Sequence, residues 1–447
     1  MMRLTANQGR GANIRNRGDV MRLRLAFVAL AVLATNVVLL GPSVANPTIH
    51  EEKMEQWGKV AAEASSQNVV SDGFTPCVDG MAGEYPCEGI DMMSRISLAE
   101  LGSAFINDIW GWIDPLTGID YALIGGSEGV WIVDISSPSN PDIVGMLPTH
   151  TSAGGDFWRD IKVYENHMYV GSENTGHGIQ IFDLTQVRGV TGDPVTFTAT
   201  NRYTGVGNSH NIHINEDTGY LYIIGSSTCS GGLHMVDIST PASPVFAGCF
   251  ADHGYVHDTQ CVIYEGPDAD HRGKEICFNS NPSGGNNVSI VDVSDKANPV
   301  ALSRMTYGNS GYSHQGWLTN DQRFFLHGDE LDEVGHGITT TTRVWAVRDL
   351  DNPVVANVFT NGRTSIDHNL YTEGNVAYAS NYTSGLRVFD IRNIPSVTER
   401  LFFDVYPQND NASFEGGTWS NYPFFSQNRI VAVSSIDRGL FILRPRG

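Results

Sequence analysis

The chain has 447 residues and sets 49 Asp and Glu against 28 Lys and Arg, a formal net charge of −21. That balance excludes non-specific nucleic-acid binding and a polybasic membrane patch. With 48 glycines and only 17% charged residues, the composition also argues against a helical protein and for many short strands joined by tight turns.

The first stretch reads as a targeting segment. Arg22 and Arg24 precede an apolar run from Leu25 to Leu40, then Gly41-Pro42-Ser43-Val44-Ala45. Small residues at Ser43 and Ala45 predict signal-peptidase cleavage after Ala45, so residues 1–45 are expected to be a signal peptide, with Met21 as a candidate true start. The mature chain is then exported: secreted, periplasmic or at the cell surface, with no stable membrane span after cleavage. Residues 46–92 form a polar lead-in with a short helix near His50 to Ser65 and a loop from Cys77 to Cys87. Six cysteines in an exported chain predict disulfides, and proximity favours Cys77–Cys87, Cys229–Cys249 and Cys261–Cys277.

From residue 93 to 447 one unit recurs. Gly129 to Ser136 reads GVWIVDIS, an apolar strand closed by an Asp turn, and a Pro-rich corner follows. Variants lie at Ile179–Asp183, Leu233–Ser239, Val288–Ser294, Val344–Leu350, Leu386–Ile391 and Leu440–Leu443, making seven copies. A polar pair precedes each copy, at Asn107, Arg159, His210, His257, His314, His368 and Gly417, with spacings of 52, 51, 47, 57, 54 and 49. A period near 50 without helical patterning predicts a four-stranded propeller blade. The expected fold is all-β, a seven-bladed β-propeller. The seventh repeat ends after three strands, and an open edge is a liability. Arg95 to Gly102 is therefore expected to supply its outermost strand and close the ring. The Asp ending each third strand (Asp134, Asp183, Asp237, Asp292, Asp390) is expected to accept backbone N–H groups in a turn.

These IVDIS-P-x-NP units resemble the LVIVD repeat. Together with the lead-in ending Tyr85-Pro86-Cys87 and the pairs Ser209-His210-Asn211, His257-Asp258, Ser313-His314-Gln315 and Asp367-His368-Asn369, the chain is similar to the bacterial choice-of-anchor B family of exported repeat proteins over roughly residues 70–447. The resemblance implies export and a propeller, and brings no reaction with it.

The loops entering the innermost strands and those between second and third strands share one face of a propeller. His210, His257, His314 and His368 are thus expected around the mouth of the central channel, with Asp108, Asp160, Asn211, Asp258, Gln315 and Asn369 one residue below. The second-to-third-strand loops add Glu173 and the run His327 to Glu333. Three readings compete. In the first, His210, His257, His314, His368, Asp329 and Glu330 hold a divalent metal (Ca or Zn) or a polar ligand. In the second, His and Asp act as acid–base groups of a metal-dependent hydrolase or lyase. In the third, each His and its neighbour hydrogen-bonds the adjacent blade. The function favoured is an extracellular or cell-surface binding or scaffold module for a protein, glycan or small-molecule ligand.

Overall fold

Each repeat folds into one antiparallel sheet because its apolar second and third strands cannot cover their own faces. The structure, a computed structural model, describes residues 52–59, 73–151, 157–425 and 428–446. The expected signal peptide and the cleavage site at Ala45 lie outside the described residues. Blade 1 runs outward through Ile106–Ile113, Asp120–Gly126, Gly129–Asp134 and Asp142–Pro148. Blades 2 to 6 repeat this order from innermost strands Arg159–Tyr164, Asn211–Asn215, Asp258–Ile263, Ser313–Leu318 and Leu370–Glu373. The seven sheets form a seven-bladed β-propeller.

Blade 7 joins Thr418–Phe425, Ile430–Ser435, Gly439–Pro445 and, outermost, Ile90–Ile96. Arg95 faces Phe441 and Ile96 faces Leu440, so a strand from the start of the propeller does close the ring. Its bounds differ from 95–102. Ser97 caps a short helix, Leu98–Leu101, in a reciprocal capping box with Glu100, and Gly102 ends it at φ +66°. Leu98 and Leu101, three residues apart, are both buried by this helical turn, a spacing that puts them on one face of a helix and on opposite faces of the expected strand. The preceding stretch joins a sheet too: Tyr85–Glu88 pairs with Thr398–Phe403 on the outer edge of blade 6.

The core is distributed between blades. Ile96, Ile109, Ile124 and Ile442 pack in one cluster between blades 7 and 1, and Ile181, Ile212, Leu221 and Val236 in another between blades 2 and 3. A shift of register recurs where third and fourth strands pair, at Ile132/Val133, Met235/Val236, Ile290/Val291, Val344/Trp345 and Val388/Phe389. Bulges of this kind increase local twist. The expected Asp turns form: Asp134 accepts from Ser136 N at 2.9 Å, Asp183 from Thr185 N at 2.9 Å, Asp237 from Ser239 N at 2.8 Å, Asp292 from Ser294 N at 3.0 Å and Asp390 from Arg392 N at 3.1 Å. The three disulfides are Cys77–Cys87, Cys229–Cys249 and Cys261–Cys277, the last joining the first two strands of blade 4. They suit an oxidising compartment. Among the described residues no helix is long and apolar enough to cross a membrane.

Candidate functional site at the hub

Repetition places one imidazole at the start of four successive innermost strands. His210, His257, His314 and His368 follow one another around the channel, with ring centroids 4.2, 4.2 and 4.3 Å apart. All four are buried. The loops between second and third strands meet them on the same face, bringing Glu173, Glu330 and Tyr382.

Two of the imidazoles clamp blade to blade through one nitrogen, whereas His314 Nδ1 has no hydrogen-bond partner among the described residues. His257 Nδ1–H donates to the His314 carbonyl at 2.9 Å, and His368 Nδ1–H donates to the Trp419 carbonyl. A carbonyl only accepts, so these bonds leave Nε2 as the lone-pair nitrogen. One residue below, the polar ring does the same work. Asp108 Oδ2 accepts from Ile161 N at 3.1 Å, Asp160 Oδ2 from Ile212 N at 2.6 Å, and Gln315 exchanges two 3.0 Å bonds with Leu370. Asn211 donates to the His257 carbonyl at 3.1 Å. Bonds to the adjacent blade's backbone thus exist for His257, His368, Asp108, Asp160, Asn211 and Gln315, and His314 departs from the expected pattern.

The second nitrogens are what remain for chemistry. His314 Nε2 lies 3.8 Å from Glu330 Oε2, and His368 Nε2 lies 3.6 Å from Glu330 Oε1. Ligand atoms of His314, Glu330 and His368 all fall within 4.8 Å of one another. Burial pushes the His314 and His257 imidazoles well below their ordinary range and His368 down to about 4, so all three are neutral near pH 7.

Two residues expected as ligands are otherwise engaged. Asp329 accepts the N–H groups of Gly311, Tyr312 and Leu331 and the Tyr307 hydroxyl, which makes it a loop anchor. His210 turns Nδ1 to Glu173 Oε1 at 2.6 Å and stands outside the compact ligand set, as does His257.

The structure adds partners the repeat pattern did not show. Residues 52–59 form a helix whose Lys53 reaches Glu330 Oε1 at 2.6 Å. Trp57, 1% exposed, packs on Phe157, Trp158 and Trp419. Burying an indole this fully is worth on the order of 4 kcal/mol. Tyr382 donates its hydroxyl to Glu330 Oε1 at 2.8 Å. Deeper in the channel, Lys162 Nζ sits 2.6 Å from Asp160 Oδ1 and 3.8 Å from Asp108 Oδ2, over the Trp110 ring. Asp258 shares that layer, and burial followed by the Asp160 charge pushes its carboxyl up to about 8. The two layers enclose a cavity of about 20 Å³, room for about one water. Of the new partners, Lys53 and Trp57 lay in a stretch read as helix, and nothing local tied them to the hub.

The LVIVD repeat model matches residues 119–149, 206–252 and 282–306. No curated protein matches the chain. A chain of a mitotic checkpoint complex crystal structure is 11% identical, covering 73% of this chain and 88% of its own at a TM-score of 0.50. The β-propeller domain of Cps50 (Swd1) from Myceliophteria thermophila is 12% identical, covering 76% of this chain and 95% of its own at a TM-score of 0.49. At such identities the first likeness is one of fold alone. The chain is therefore a seven-bladed β-propeller that carries LVIVD repeats.

Proposed function

We propose that the protein is an exported binding module whose hub takes a zinc-class divalent cation through His314, His368 and Glu330. The observation that supports this most directly is the pairing of a fixed tautomer with a close carboxylate. His368 is held by the Trp419 carbonyl with Nε2 toward Glu330, at 3.6 Å, and His314 Nε2 approaches the other Glu330 oxygen at 3.8 Å. Ligands about 2.1 Å from a tetrahedral zinc stand about 3.4 Å apart, so small movements bring this set onto an ion. Two imidazoles and one carboxylate are a donor set that suits zinc and leaves a position for a ligand, whereas calcium prefers oxygen alone. A buried neutral imidazole is already in the protonation state that ligation requires.

Lys53 is the competitor. Its ammonium already neutralises Glu330, so a cation enters when helix 52–59 withdraws it. An incoming protein, glycan or small molecule would then meet the open metal position at the hub mouth.

Metal content of chain purified in the presence of zinc tests this reading. About one zinc per chain is expected for wild type and His210→Ala, a loss in His314→Ala and His368→Ala, and tighter binding in Lys53→Met. Zinc retained by His368→Ala, or absent from both wild type and Lys53→Met, rules the assignment out.

A further inference from the structure

A second cluster on the hub-facing loops has no part in the reading above. Asp332 and Glu333 begin the short helix Asp332–His336, between the second and third strands of blade 5. Asp367 stands just before the innermost strand of blade 6. Ligand oxygens of the three lie within 4.8 Å of one another, yet the residues are 0%, 2% and 4% exposed. Oxygens around a single calcium ion, each 2.3–2.6 Å from it, are at most about 5 Å apart.

The charge does not balance. Arg343 Nη2 approaches Asp332 Oδ2 at 2.7 Å and brings one positive charge to three carboxylates. Neighbouring Asp329 is satisfied by its own donors and Glu330 by Lys53. Asp367 is the informative member. Neither of its oxygens has a hydrogen-bond partner among the described residues, and Oε2 of Glu333 has none either. Room for Asp367 is kept by Gly328, where a Cβ would come within 2.6 Å of Asp367 Oδ2. Buried carboxylates without donors are costly unless an ion takes their lone pairs.

We infer that Asp332, Glu333 and Asp367 form a calcium site, separate from the hub imidazoles. An all-oxygen set of up to six carboxylate oxygens suits calcium, and near-complete burial disfavours magnesium, which keeps several waters. A divalent ion would bring the three carboxylates and Arg343 to neutrality. In its absence burial and mutual repulsion push Glu333 up to about 12 and raise Asp332 and Asp367, so protons would hold the cluster together instead.

The test is a calcium titration, by calorimetry, of the full chain stripped with a chelator, with thermal unfolding followed in parallel. One calcium per chain and a Tm several degrees higher with calcium than with chelator are expected. Asp367→Asn and Glu333→Gln should each bind at least 100-fold more weakly, while His314→Ala keeps its calcium, which separates this site from the hub. Stripped wild type that takes up no calcium overturns the assignment, as does Asp367→Asn binding within threefold of wild type. If Asp367→Asn fails to fold, the wild-type titration and Glu333→Gln decide.

Discussion

Lys53 Nζ and Glu330 Oε1 lie 2.6 Å apart although 277 residues separate them, and their side chains are only 9% and 1% exposed. Burial alone would push the Glu330 carboxyl up, but the ammonium and the nearby imidazoles hold it down to about 2. The pair ties helix 52–59 to the hub by charge, while Trp57 ties it by apolar contact.

Breaking a buried pair from one side leaves a stranded charge, at a cost of about 3–5 kcal/mol. Glu330→Gln should therefore lose about that much stability. Lys53→Met should lose less, because Glu330 keeps its bond from Tyr382. The double variant should be milder than the sum of the two. Denaturant midpoints measure the cycle, and hydrogen exchange across residues 52–59 reports the helix. Unchanged exchange in both single variants would show that the Lys53–Glu330 pair does not seat it.

Gln315 spans two blades with both ends of its amide, donating to the Leu370 carbonyl and accepting the Leu370 N–H. Gln315→Ala leaves two buried backbone groups unpaired, at about 1–3 kcal/mol each. A loss of about 2–6 kcal/mol in unfolding free energy, measured by denaturant unfolding, is expected. A loss below about 1 kcal/mol would mean that the clamp adds nothing to blade packing.

Burial pushes the Asp404 carboxyl up to about 6, against the pull of a bond from Tyr406 N and of Arg387. A carboxyl near 3.9 when unfolded and about 6 when folded favours folding fully below pH 4. That contribution, about 3 kcal/mol, fades as pH rises from about 4 to 6. Asp404→Asn should abolish this part of the pH dependence. Chemical unfolding from pH 4 to pH 8 checks it, and identical slopes in both proteins would refute the assignment.

Ile90–Ile96 supplies the outer strand of blade 7. A chain lacking residues 1–96 exposes the edge of Gly439–Pro445, and such an edge recruits other chains. Light scattering should find oligomers or aggregate. A monomer that unfolds in one sharp transition would show that closure is dispensable.

Much of this was legible in order along the chain. The apolar run ending in Asp, the period near 50 and the cysteine spacing are local signals, and each follows from what a half-covered strand or a short loop needs. The column of four histidines was legible for the same reason, since equal register puts equal residues at the hub. The end of the closing strand was misread, because Leu98 and Leu101 share a face only in a helix and Ser97 and Glu100 form the capping pair that starts one.

The amino-acid sequence by itself determined the wheel, its seven blades, its three disulfides and the face on which the imidazoles collect. Only the tertiary structure decided which atoms there remain for a ligand. Asp329 and His210 are consumed by Gly311, Tyr312 and Glu173, whereas His314, His368 and Glu330 keep atoms facing one another. Periodicity constrains where a backbone goes. The fate of a lone pair depends on donors that approach from distant parts of the chain, and no local pattern encodes that distance.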